Sequence, residues 1–212
     1  MAWWSWWTLQ LLRIQAVLLL AMGRSNAALA RFDRLLQRRP LDCHALASRA
    51  HIYAQRGSFD AAIDSLRLLT QTRPRAAAGW FNLGYTLQQH GEQGQAGVAF
   101  REALAIDPRL DRAWYGLALV LMDSRQYQEA AFALEKTTAL QPMSPYGWFR
   151  LAQVRQALDQ HEEAFKIALH LRQFEPKVAA QLERVLGLGQ LARVPPDGNM
   201  HTDIARTSHH AA

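Results

Sequence analysis

The chain has 212 residues, half of them hydrophobic, with a formal charge of +6 and a single cysteine, Cys43. One cysteine excludes a disulfide framework and fits a reducing compartment such as the cytoplasm. Alanine and leucine dominate while runs of β-branched residues are missing, so helix is expected throughout.

The charge is uneven. Eleven arginines against four aspartates give residues 1–76 a formal +7, and the rest, thirteen basic and fourteen acidic, give −1. Apart from compositional bias, a basic end of this kind would attract an acidic partner or an anionic membrane surface.

At the N-terminus Trp3, Trp4, Trp6 and Trp7 precede leucine-rich sequence ending at Met22. A helix over residues 3–22 would be about 30 Å long, roughly the thickness of a bilayer core. Its eight apolar aliphatics favour insertion by about 2–5 kcal/mol in all. Arg13 near the middle costs about 2.5–3.5 kcal/mol and two glutamines add to that, so energetics alone leave the question open. Basic residues follow the apolar run instead of preceding it, which argues against a cleavable signal peptide.

Prolines then recur at Pro40, Pro74, Pro108, Pro142 and Pro176, always thirty-four residues apart. Such a period marks a stacked-repeat architecture, each proline stopping one helix and setting the turn into the next. Five units follow: 9–42, 43–76, 77–110, 111–144 and 145–178. Their fourth positions are Leu12, Leu46, Trp80, Trp114 and Trp148, and their twentieth are Ala28, Ala62, Ala96, Ala130 and Ala164. Leu83–Gly84, Leu117–Ala118 and Leu151–Ala152 stand at the seventh and eighth positions of the last three units, where small residues let paired helices approach. The twenty-fourth positions are Phe32, Leu66, Phe100, Leu134 and Ala168, with Gly23, Gly57 and Gly91 between the helices. Leu12, Ala16, Leu19 and Gly23 fit the same register, which draws the first hydrophobic stretch into the fold.

These residues resemble the pattern of the tetratricopeptide repeat family over residues 9–178. Arg49 departs from it where leucine is expected, and Arg125 and Asp159 where the turn glycine is expected. The resemblance implies an all-α, right-handed superhelical solenoid of about five helix-turn-helix repeats, preceded by a Trp-rich extension, residues 1–8. A capping helix over 179–193 is expected from Leu182, Val185, Leu186 and Leu191, then a disordered tail, 194–212.

The resemblance also implies a concave groove lined by the first helix of each pair. Carried onto this sequence, its positions give Phe81, Asn82, Tyr85, Gln88, Gln89, Arg112, Tyr115, Met122, Tyr146, Phe149 and Arg150. Phe81, Tyr115 and Phe149 occupy the same position in three consecutive units. They read either as a binding stripe, since aromatics and arginine dominate binding energy at interfaces, or as filler between repeats. The family's carboxylate clamp is matched outright only at Asn82, with Arg112 as an approximation; Ala47, His51 and Gly116 hold its other places.

The tryptophans lie outside the repeat pattern. They read as a cap on the solenoid, as an insertion at an anionic membrane surface, or as a dock for a partner subunit or membrane-protein complex. Catalytic chemistry finds no support. His161-Glu162-Glu163 lacks a second histidine, His44 and His51 are too far apart along a helix to share an ion, and His201, His209 and His210 have no fixed geometry. Gly91, Gly94 and Gly97 follow no strand, and the absence of interleaved lysines argues against nucleic acid. The expectation is therefore a non-enzymatic scaffold or adaptor without cofactor or metal that binds a protein segment in its groove. The alternative is an integral or membrane-peripheral subunit of a larger complex, docked through its first helix.

Overall fold

The computed structural model describes residues 2–187, with side chains from Trp7 onward. Among these residues there are eleven helices and no strand: α1 (Ala2–Ala21), α2 (Ser25–Arg38), α3 (Cys43–Gln55), α4 (Phe59–Thr72), α5 (Ala77–His90), α6 (Gln93–Ile106), α7 (Asp111–Asp123), α8 (Tyr127–Leu140), α9 (Pro145–Ala157), α10 (His161–Phe174) and α11 (Pro176–Val185). Successive helices pair as hairpins, and the second helix of each packs on the first of the next, which makes an all-α repeat solenoid.

The ends of the helices follow from local chemistry. α2, α4, α6, α8 and α10 each stop two residues before a proline of the ladder. The residue between, Arg39, Arg73, Asp107, Gln141 or Glu175, has φ between −131° and −135°. A following proline disfavours helical backbone at that position, so the chain must leave the helix there. Within each hairpin the turn places one residue at positive φ: Gly23, Gly57, Gly91, Arg125 and Asp159, again thirty-four residues apart. The last two hold the left-handed conformation without glycine.

The core is built from the small and large positions of the repeat. Ala28, Ala62, Ala96, Ala130 and Ala164 are fully buried, and Phe32, Leu66, Phe100, Leu134 and Ala168 are buried beside them. At Gly84, on α5, an added Cβ would stand 2.9 Å from the Phe100 ring, so the absence of a side chain there sets how closely α5 and α6 approach.

The tryptophan-rich segment is continuous with α1, which runs unbroken from Ala2. Leu9 and Ala16 are buried, Leu19 and Leu20 pack on the core, and Gly23 closes the turn. The Arg13 guanidinium lies 3.6 Å from Asp42, the residue that also caps α3 by accepting the Ala45 N–H at 2.9 Å. No helix among the described residues is long and apolar enough to cross a membrane. The side chains of Trp3, Trp4 and Trp6 lie outside the described residues.

At the other end α11 starts at Pro176, three residues before the segment expected from apolar spacing, because proline suits the first helical position. It packs on α10 and α9, burying Ala179 and Leu182. Glu183 accepts from Arg172 Nε at 2.6 Å, which raises the guanidinium pKa above its ordinary value. Residues 188–193 and the tail 194–212 lie outside the described residues.

Candidate interaction surface

α5, α7 and α9, the first helices of three consecutive hairpins, carry the residues expected in the groove. The Phe81 ring is half-buried, 6.1 Å from the Phe100 ring beneath it. Tyr85, one turn along α5, stacks on Phe81 with ring centroids 6.4 Å apart and remains 52% exposed. From α7 the Arg112 guanidinium sits 4.9 Å above the centre of the Phe81 ring, a cation–π contact that links adjacent repeats. These three side chains form one cluster, anchored by Phe81 and presented by Tyr85 and Arg112.

The other residues expected in the groove divide by burial. Tyr115, Phe149 and Met122 are partly buried and pack against the core, while Tyr146 is 72% exposed. Asn82 and Gln89 are exposed and Gln88 is half-buried. Arg150 donates to Gln153 on its own helix at 2.9 Å. Phe81, Tyr115 and Phe149 thus serve packing with much of their area, and the open aromatic surface belongs chiefly to Tyr85 and Tyr146.

A further concavity lies nearer the N-terminus. It is an open cleft of about 830 Å³ bounded by residues of α1, α3 and α5 and by the two turns that precede α3 and α5. His44, Ala47 and Asn82 line it from the helices, and Arg39, Leu41, Asp42 and Arg73 from the turns. Asn82 is the one expected groove residue that reaches it. Arg13 also lines the cleft, but its charge is shared with Asp42. Arg39 and Arg73 are exposed, and among the described residues neither meets a carboxylate. Both stand at the thirty-first position of their units, where later units have Asp107, Gln141 and Glu175. That change from arginine to acid or neutral amide along the register was the available signal, although the family pattern does not include the position.

Comparison with known proteins bears on the fold. Profiles described as tetratricopeptide repeat match residues 15–74 and 49–111, and a second such profile matches 87–148, together more than half of the chain. MamA from Desulfovibrio magneticus RS-1 is 21% identical with a TM-score of 0.71, covering 84% of this chain and 96% of its own. YrrB, described as a TPR protein with an unusual peptide-binding site, is 16% identical with a TM-score of 0.71, covering 80% and 88%. TTC0263, a thermophilic TPR protein from Thermus thermophilus, is 23% identical with a TM-score of 0.57, covering 86% and 99%. No curated protein sequence matches the chain. The profile matches, the thirty-four-residue register and the stacked hairpins show that the chain belongs to the tetratricopeptide repeat family.

Proposed function

We propose that the protein is a non-enzymatic scaffold that grips an acidic segment of a partner protein in the cleft between α1, α3 and α5. The observation that carries this reading is the pair Arg39 and Arg73, exposed beside a cleft of about 830 Å³ and without a carboxylate partner among the described residues. A guanidinium fork recognises carboxylates in two parallel hydrogen bonds, so two such groups on successive turns suit a chain with spaced Asp or Glu side chains. Leu41 and Ala47 give apolar contact between the charges, and Asn82 can hydrogen-bond a peptide backbone. Beyond Asn82 the surface continues along α5 to Tyr85 and across to Arg112 of α7, a cluster suited to hold an aromatic or aliphatic side chain. The peptide-binding site described for YrrB, which shares the fold, is consistent with this use of the solenoid.

Fluorescence anisotropy with labelled twelve-residue peptides of acidic, neutral and basic composition tests the reading. The acidic set binds, its affinity falls with salt, and Arg39→Glu combined with Arg73→Glu weakens it by about tenfold or more. Binding that is indifferent to peptide charge, or unchanged in the double variant, would sink the proposal.

A further inference from the structure

α1 carries apolar side chains on two opposite sides. Leu9 and Ala16 are buried in the solenoid. Trp7, Leu11, Ile14, Leu18 and, just past the helix end, Met22 are between 54% and 66% exposed. Spacings of four, three, four and four residues place them on one stripe, opposite the buried side. No charged residue interrupts it, since Arg13 lies off the stripe beside Asp42.

The later repeats show what this face normally meets. Leu11 and Leu18 hold the third and tenth positions of the repeat. The third positions that follow, Ala45, Gly79, Ala113 and Gly147, are all buried, as are the tenth, Ile52, Thr86, Val120 and Val154. The helix before them provides the cover: a Cβ on Gly79 would lie 3.7 Å from Thr70 of α4, and one on Gly147 3.2 Å from Thr137 of α8. Among the described residues no helix takes that place against α1. Leu11 also stands where the inner repeats have only alanine or glycine. A leucine there would hold a helix further off than the repeat spacing, so the stripe suits a different helix contact.

The stripe is complementary to itself. In an antiparallel pair with its two-fold axis near Ile14, Leu11 of one copy lies against Leu18 of the other. Trp7 then lies against Met22, and Ile14 against its own counterpart. Large side chains meet flexible or medium ones, and no like charges are brought together. These side chains leave on the order of 600 Å² open per copy, the upper end of what a monomer exposes and near the roughly 800 Å² each partner contributes to a standard interface. The opposite end of the solenoid offers no such match, because α11 turns Lys177, Gln181 and Arg184 outward. We propose that two copies of this chain associate through α1, antiparallel about a two-fold axis near Ile14.

Sedimentation equilibrium and light scattering on the full chain test this. A dimer is expected at micromolar concentrations. Leu11→Glu with Leu18→Glu weakens it by about 100-fold or more, with unchanged far-ultraviolet circular dichroism because both residues are exposed in the single copy. In a Cys43→Ser background, Ile14→Cys is joined to a dimer by a short bismaleimide, whereas Arg34→Cys on α2 is not. A chain that stays monomeric, or a dimer that survives the double glutamate variant, overturns the proposal. Failure of Ile14→Cys to cross-link overturns the two-fold geometry. A monomer that floats with phosphatidylcholine–phosphatidylglycerol vesicles, and loses that property in the glutamate variant, replaces the second copy with a lipid surface.

Discussion

Trp114 donates its indole N–H to the carbonyl oxygen of Pro108 at 2.9 Å. The same bond joins Trp80 to Pro74 at 2.9 Å and Trp148 to Pro142 at 2.8 Å. The fourth residue of a first helix is thereby tied to the turn that delivers the chain into it. Proline restricts the turn, and tryptophan satisfies a carbonyl that the preceding helix has left behind. Trp114→Phe keeps most of the ring packing and removes the donor. It is expected to cost about 1–2 kcal/mol, the value of one hydrogen bond with some lost area, read from urea unfolding. In the second unit Leu46 has no donor to offer, and the turn is held by Asp42 capping Ala45. Asp42→Ala is expected to cost about 1 kcal/mol by the same measurement.

Phe100 explains two glycines at once. A Cβ on Gly84 would lie 2.9 Å from its ring, and one on Gly116 only 2.5 Å away, so α5 and α7 both close on the same phenyl group. The ring is fully buried and has nowhere to move. Gly116→Ala should therefore destabilise by about 1–3 kcal/mol through overpacking, despite the better helix propensity of alanine. Phe100→Leu makes room, so the double variant should be more stable than the two separate losses predict. Simple additivity in that cycle would mean the ring is not the obstacle.

The all-α solenoid was legible because its determinants repeat at one period. A proline, a small residue and a buried large residue recurring every thirty-four positions leave few alternatives for the chain. The surface was less so. Groove positions carried over from the family say which side of a helix a residue occupies, not how deep its neighbours let it sink. Phe81 reads as a contact residue, yet its ring is half-buried and packs toward Phe100, while its neighbour Tyr85 stays open. Arg39 and Arg73 stand out in the sequence only as part of its basic first half, because they belong to turns, where the repeat pattern makes no demand. The outer stripe of α1 is hidden for another reason: apolar side chains on two opposite sides of a helix leave no single periodic stripe to separate a face packed inward from an exposed one.

The turn residues Arg125 and Asp159, at φ 57° and 59°, adopt a conformation that disfavours most side chains. Left-handed backbone costs an ordinary residue about 1–2 kcal/mol, and aspartate less because its short polar side chain tolerates it. Arg125→Gly removes that strain and gives back part of it through greater freedom in the unfolded chain. A net stabilisation of about 0.5–1 kcal/mol is expected, with a smaller gain for Asp159→Gly. Thermal and urea unfolding of the two variants should rank in that order; a loss of stability in Arg125→Gly would mean its side chain contributes more than the backbone strain costs.

Arg49 marks the sharpest departure from the repeat, and the structure supplies its compensation. Leu83, Leu117 and Leu151 occupy the equivalent position and are buried. Arg49 Nε instead donates to Ser65 Oγ at 3.1 Å, and its guanidinium lies 3.7 Å from Asp33 on α2. Ser65 in turn donates to the Ala61 carbonyl, so it can satisfy the arginine and its own helix together. The later units have Ala99, Ala133 and Ile167 at the serine's place, so the polar pair replaces an apolar one as a unit. Ser65→Ala leaves a half-buried guanidinium short of one acceptor and is expected to cost about 1 kcal/mol. Arg49→Leu alone leaves the buried serine hydroxyl bonded only to Ala61 and should be close to neutral. Arg49→Leu with Ser65→Ala restores the arrangement of the third and fourth units and should equal or exceed the parent in stability, since well-packed apolar replacements of buried polar groups are often stabilising. A double-mutant cycle by urea unfolding measures the coupling, and a value near zero would show that Arg49 draws its support from Asp33 and solvent and not from Ser65.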